Sequence, residues 1–203
     1  DLLSDVEMDG ALTLTTGDID ASKKTLTLSS SASASAGSDA SHVIGTMIKT
    51  TAATSKFTFP LGDGTYYKSI AITPSAATSN VWTSKYYNTV YDYTNLDPSG
   101  TNSTPTSGDI DHISAYEWWD LDNGGTSESA IVEIAWVSQN AILAYADLRI
   151  AHFDGTDWDM VNATPVGTDA SGVITSGSAV TSFSPFTLSS SSTTNVLPIT
   201  LVS

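Results

Sequence analysis

Thr25-Leu26-Thr27-Leu28-Ser29 alternates leucine with a hydroxyl residue, and Ala11-Leu12-Thr13-Leu14-Thr15 does the same. Successive side chains of an extended backbone point to opposite faces, so this order gathers the leucines on a buried face and leaves the hydroxyls on the other. The period is two and not 3.6, and both segments read as strands. Between them, residues 17–24 (GDIDASKK) form a turn-rich connection. Two such segments so close together predict successive rungs or a hairpin.

The same period runs outward through the chain. Residues 42–50, 55–64, 65–74, 80–91, 112–122, 129–138, 148–155, 157–164, 173–178 and 180–189 are strand-like, rich in β-branched and aromatic residues. Pro60 and Gly62-Asp63-Gly64 end one of them, because proline cannot donate a ladder hydrogen bond and glycine accepts positive φ. The run at 29–41 (SSSASASAGSDAS) has little to bury and reads as a loop or flat edge segment. Residues 92–111, with two prolines and two glycines and no periodicity, are expected to be the longest loop. Only residues 139–147 favour helix, enough for a turn or two. The expected fold is all-β, a β-sandwich or jelly-roll-like domain with extra N-terminal strands. Residues 1–45 are expected to form solenoid-like or edge strands, 46–188 the sandwich, and 189–203 a Ser/Thr-rich linker with a C-terminal strand.

Composition narrows the function classes. Ser and Thr number 60 of 203 residues and charged residues only 14%, so the surface must be largely hydroxyl. A net charge of -15 argues against nucleic acid and anionic membranes as partners, since both require clustered Lys and Arg and this chain has seven. No apolar stretch approaches the roughly 20 residues of a membrane span. Without cysteine there is neither a disulfide framework nor a thiolate metal site. This hydroxyl-rich, Lys-poor composition resembles that of bacterial cell-surface and extracellular proteins, so an extracellular location is expected over a cytosolic one.

Among candidate sites, Asp120, Asp122 and Asn123 stand in a D-x-D-x-G sequence that can present oxygens to calcium; otherwise it is a strand end with an Asn-Gly turn. No other cofactor is expected. His42, His112 and His152 lack a nucleophile signature, and nothing in the spacing of Glu7, Glu117, Glu128 and Glu133 selects a glycosidase pair. Aromatics are more informative. Tyr66, Tyr86, Tyr91 and Trp118 belong to adjacent or closely spaced aromatics in strands, where one of a neighbouring pair faces outward and can stack on a sugar or anchor an interface. The apolar residues Leu197, Ile199 and Leu201 follow a Ser/Thr-rich leash. A terminal strand of this kind folds back on its own sheet or adds to a neighbour's edge, and the second arrangement repeated head to tail builds a filament.

Several segments carry a family resemblance in order: Ile44–Thr50, Phe57–Asp63, Ile113–Leu121, Ala146–Ala151, Phe183–Leu188 and Leu197–Leu201. Together they resemble the β-rich module of large surface and secreted proteins of the Bacteroidota, the cargo of type nine secretion. Members commonly continue into a sorting domain. The resemblance implies export across the outer membrane, a surface or extracellular location, and a structural, adhesive or spacer role with no catalytic residue. The resulting expectation is a non-catalytic structural or adhesive module that associates with itself or other surface proteins. The alternative is a carbohydrate-binding module using exposed Trp and Tyr.

Overall fold

The computed structural model describes residues 1–89, 91, 110–183, 185–193, 195 and 197. In chain order the strands are β1 (Val6–Met8), β2 (Ala11–Leu12), β3 (Ile19–Leu28), β4 (Ser33–Ala34), β5 (Val43–Thr51) and β6 (Phe57–Phe59). Next come β7 (Leu61–Gly62), β8 (Ile70–Pro74), β9 (Asn80–Tyr87), β10 (His112–Ile113), β11 (Trp118–Asp122) and β12 (Ala130–Trp136). The last are β13 (Leu148–Phe153), β14 (Trp158–Val161), β15 (Ala163–Thr168), β16 (Ser171–Ser176) and β17 (Phe186–Ser190). The only helical pieces among the described residues are single 3-10 turns at Ser138–Asn140 and Tyr145–Asp147, at the two ends of the stretch 139–147 whose composition favours helix, the first beginning one residue before it.

The fold is all-β and consistent with a sandwich. A ten-stranded sheet runs β1-β3-β5-β9-β11-β17-β13-β14, with β7 paired to β5 and β10 to β17, and a five-stranded sheet runs β15-β16-β12-β8-β6. One apolar cluster extends from Leu12, Leu26 and Leu28 through Met47 to Trp82, Trp119, Trp136 and Ile134. The N-terminal strands therefore share their core with the sandwich. A second cluster of Ile113, Ala151, Phe153 and Trp158 covers the other face of β13, whose Leu148 and Ile150 face the main core.

The L-T-L segments are rungs, though not of each other. β1, β3 and β5 pair in parallel: Val6 faces Leu26 and Leu26 faces Met47, so consecutive rungs lie 20 and 21 residues apart. β2 and β4 form a second small parallel pair, Leu12 against Ala34. Leu26 and Leu28 are buried and Thr25 and Thr27 half-exposed, as the alternation predicts. Residues 17–24 differ from expectation, because most of the connection belongs to the first half of β3. The Asp20 carboxylate accepts the Ser22 N–H at 2.8 Å, and a register shift between Ala21 and Thr25 absorbs the extra residues. Local turn chemistry thus survives as a bulge inside a strand fixed by long-range pairing. β15, of which only Ala163 and Thr164 fall within a strand-like run of the sequence, carries Pro165 and is the edge strand of its sheet, where a missing N–H is tolerated.

The bulge needs Gly45. Its φ is +103°, and a Cβ there would lie 2.4 Å from the Ala21 carbonyl carbon and oxygen. Strain and backbone overlap act together, so Gly45→Ala is expected to destabilise the fold by about 3 kcal/mol or more, read as a lower urea midpoint at unchanged m-value.

Candidate functional site

Lys68 precedes β8 in the five-stranded sheet and Glu117 precedes β11 in the ten-stranded one. Their positions are fixed by neighbouring bonds: the Lys68 N–H donates to the Leu61 carbonyl at 2.8 Å, and the Lys68 carbonyl accepts the Trp119 indole N–H at 3.0 Å. Thr187 Oγ1 donates to the Glu117 carbonyl at 2.6 Å, tying β17 to the same point. The two side chains, 1% and 2% exposed, meet with Lys68 Nζ 2.9 Å from Glu117 Oε2.

Two further groups complete the cluster. Tyr86, on β9, donates its hydroxyl to Glu117 Oε2 at 2.9 Å. Asn140, in the 3-10 turn after β12, donates from Nδ2 to Glu117 Oε1, and its Oδ1 accepts Lys68 Nζ at 2.9 Å and the Val137 N–H at 2.8 Å. A charged group deprived of water needs partners of this kind, and here one cation, one anion, a phenol and an amide from both sheets satisfy one another. Burial, and then the Glu117 charge, push the Tyr86 phenol far above its ordinary range, so it stays a proton donor.

These groups floor a cavity of about 280 Å³ walled by Asn88, Tyr116, Gln139 and Ala141. Ala141 has φ +50°, the one left-handed non-glycine residue among those described. Such a conformation costs an alanine about 1–2 kcal/mol and tends to occur where surrounding structure holds a site in shape. Two other cavities differ in character. One of about 340 Å³ includes Lys49, whose ammonium is occupied by the Ser29 and Ala32 carbonyls at 2.5 and 2.6 Å and whose pKa burial lowers. The other, about 390 Å³, is a hydroxyl-lined cleft between residues 75–80 and 126–129.

The residues singled out in the sequence are dispersed. Tyr86 is in the floor just described, buried and not an outward platform. Trp118 is half-buried and stacks on Tyr87 at 3.9 Å between centroids, with Tyr91 edge-on at 5.0 Å. Tyr91 also packs on Phe153 and Trp158. Tyr66 is half-buried in the turn after β7, where the Asp63 carboxylate takes its N–H at 2.7 Å. Leu197 is fully buried in this chain's own core, and its N–H reaches His112 Nε2 at 3.3 Å; Ile199 and Leu201 lie outside the described residues.

Asp120, at the centre of β11, faces Lys85 in register. Asp122 and Asn123 shape the turn beyond: Asp122 accepts the Gly124 N–H, and Asn123 Nδ2 donates to the Thr126 and Glu128 carbonyls at 2.9 and 3.0 Å. Among the described residues, no three His, Asp or Glu side chains gather as a metal site would require. The glutamates also part company, Glu128 bonding Thr78 and Ala76 and Glu133 bonding Lys56 and Thr175.

Lys68, Asn140, Tyr116 and Gln139 were not evident from sequence. The available signal was a charge flanked by aromatics in a charge-poor chain, as in Tyr67-Lys68 and Tyr116-Glu117-Trp118. No protein-family model, curated protein or solved structure matches this chain.

Removing one member of a buried ion pair leaves the other charge uncompensated. Lys68→Met and Glu117→Leu are each expected to cost about 3–5 kcal/mol, and the double variant less than the sum of the two by about 2 kcal/mol or more, measured as a double-mutant cycle in urea. His152 supplies a separate pH test. Burial lowers its pKa against an opposing hydrogen bond to the Phe183 backbone, and Nε2 has no partner among the described residues. The unfolded chain then binds the extra proton first, so His152 contributes fully above the unfolded value near 6.5 and its contribution is lost as pH falls below it toward the lower folded value. The urea midpoint of the native chain should fall between about pH 7 and 5.5, and His152→Phe should flatten that decline.

Proposed function

We propose that this chain is a non-catalytic structural unit of an extracellular bacterial surface protein, and that it associates by adding a strand to the open edge of its larger sheet. The observation that supports this is one continuous sheet beginning in parallel rungs, β1-β3-β5, and passing into antiparallel sandwich strands. A parallel rung ladder has no closure of its own, and β1 presents its outer edge. The Met8 carbonyl accepts the Ser29 N–H on the β3 side, so alternation turns the backbone polar groups of Glu7 to the free edge.

The partners are further copies or extended strands of other surface proteins, joined mainly through main-chain bonds. Head-to-tail addition of this sort does not close and grows a filament. The hydroxyl-rich surface, with seven Lys and Arg in all, offers few sites to trypsin-like proteases, which suits an exposed location. The resemblance to surface proteins of the Bacteroidota supports the same location. A net charge of -15 weighs against nucleic acid and anionic lipid, and no helix among the described residues is long and apolar enough to cross a membrane.

The test is light-scattering mass with negative-stain electron microscopy across a concentration series. The native chain is expected to form regular fibres, and Glu7→Pro, which removes an N–H from the free edge without touching the β3 ladder, to remain a monomer of unchanged melting temperature. A native chain that stays at 21.2 kDa throughout overturns strand addition.

A further inference from the structure

We infer that the cavity over Lys68, Glu117, Tyr86 and Asn140 is a binding site for a single neutral sugar ring. The argument starts from what the floor leaves unused. Lys68 has three ammonium hydrogens and gives two, to Glu117 and Asn140. Asn140 gives one amide hydrogen to Glu117 and keeps another. Tyr86 donates its proton and retains oxygen lone pairs, while Glu117 Oε1 accepts from Asn140 and can accept again. The four side chains that line the floor therefore retain capacity for two donors and two acceptors.

That inventory selects the ligand. A hydroxyl group donates once and accepts as well, so a pair of adjacent hydroxyls complements alternating donors and acceptors. An anion would meet the Glu117 carboxylate and a cation the Lys68 ammonium, because the two charges stand together and cancel. At about 280 Å³ the cavity lies just under the usual range of about 300–1,000 Å³ for drug-sized ligands, so it admits one ring and not a chain. Tyr116, 44% exposed in the wall, supplies an aromatic surface for the C–H face of the ring, and Gln139 adds an exposed amide. The left-handed Ala141 backbone beside Asn140 fixes the turn that carries both amides.

The test is a nitrogen-15 NMR titration of the full chain with glucose, galactose, mannose, N-acetylglucosamine and fucose. At least one sugar is expected to shift the amide signals of Glu117, Asn140 and Ala141 with a millimolar midpoint. Tyr116→Ala and Gln139→Ala, both outside the buried network, should raise that midpoint, Tyr116→Ala by about tenfold, with melting temperature unchanged. The methyl glycoside of the binding sugar separates the two sources. Equal affinity supports a chain-terminal residue of a glycan, and loss of affinity supports a free monosaccharide. The inference is overturned if no sugar shifts these amides, if Tyr116→Ala leaves the midpoint unchanged, or if acetate or ethylammonium binds more tightly than every sugar. The readout is independent of fibre formation, so either proposal can fail while the other stands.

Discussion

The Lys68–Glu117 ion pair is the constraint on which the sandwich depends, because it is the place where both sheets must agree on one geometry. Taking two charges out of water costs several kcal/mol per ion, and only close, well-bonded partners offset that. Apolar attraction between sheets is non-directional, whereas a carboxylate bonded to an ammonium, a phenol and an amide prefers one geometry. Tyr86 and Glu117 come with the larger sheet, Lys68 and Asn140 with the smaller, and Trp119 and Thr187 bond directly to the main chain of the pair. The network thus sets register as well as distance.

A second lysine resolves the same problem differently. Lys49, 5% exposed, donates to the carbonyls of Ser29 and Ala32 in the turn between β3 and β4 and lies 5.2 Å from the Phe57 ring centroid. Carbonyl dipoles, and not a carboxylate, compensate its charge, and burial accordingly lowers its pKa. In a chain with seven basic residues, two are therefore spent inside, one holding a rung turn and one holding the sandwich. The surface is left largely to hydroxyls and carboxylates.

Strand identity was legible wherever hydrophobic alternation was uninterrupted, as in Leu26 and Leu28 or Val132, Ile134 and Trp136, because burial on one face leaves a period of two in the sequence. It failed where the stabilising contact was distant. Asp20 and Ser22 form a local turn bond, yet parallel pairing to Val43, Ile44 and Gly45 draws the segment into β3. The rung spacing was illegible for the same reason, since nothing in residues 11–15 shows that Leu12 will face Ala34. The site was hidden more deeply. Lys68 and Asn140 are 72 residues apart, and no spacing rule joins single residues brought together by two sheets. Only the aromatic flanks of Lys68 and Glu117 hinted at burial, and Tyr86 was singled out for a surface role it does not have.

The order of strands also separates the two proposed activities. The β1 edge stands beyond β3 and β5, three strand spacings or about 14 Å from β9, which carries Tyr86. Growth of the sheet at that edge extends it away from the cavity and leaves Tyr116 and Gln139 exposed. Each added unit would then bring another copy of the pocket, and a filament of weak, millimolar sites gains avidity through repetition that no single cavity of this size can supply. A rigid floor suits that arrangement, because an ion pair already held by Tyr86 and Asn140 would not have to reorganise when a ring enters. The same interaction that fixes the sandwich therefore keeps the pocket in shape.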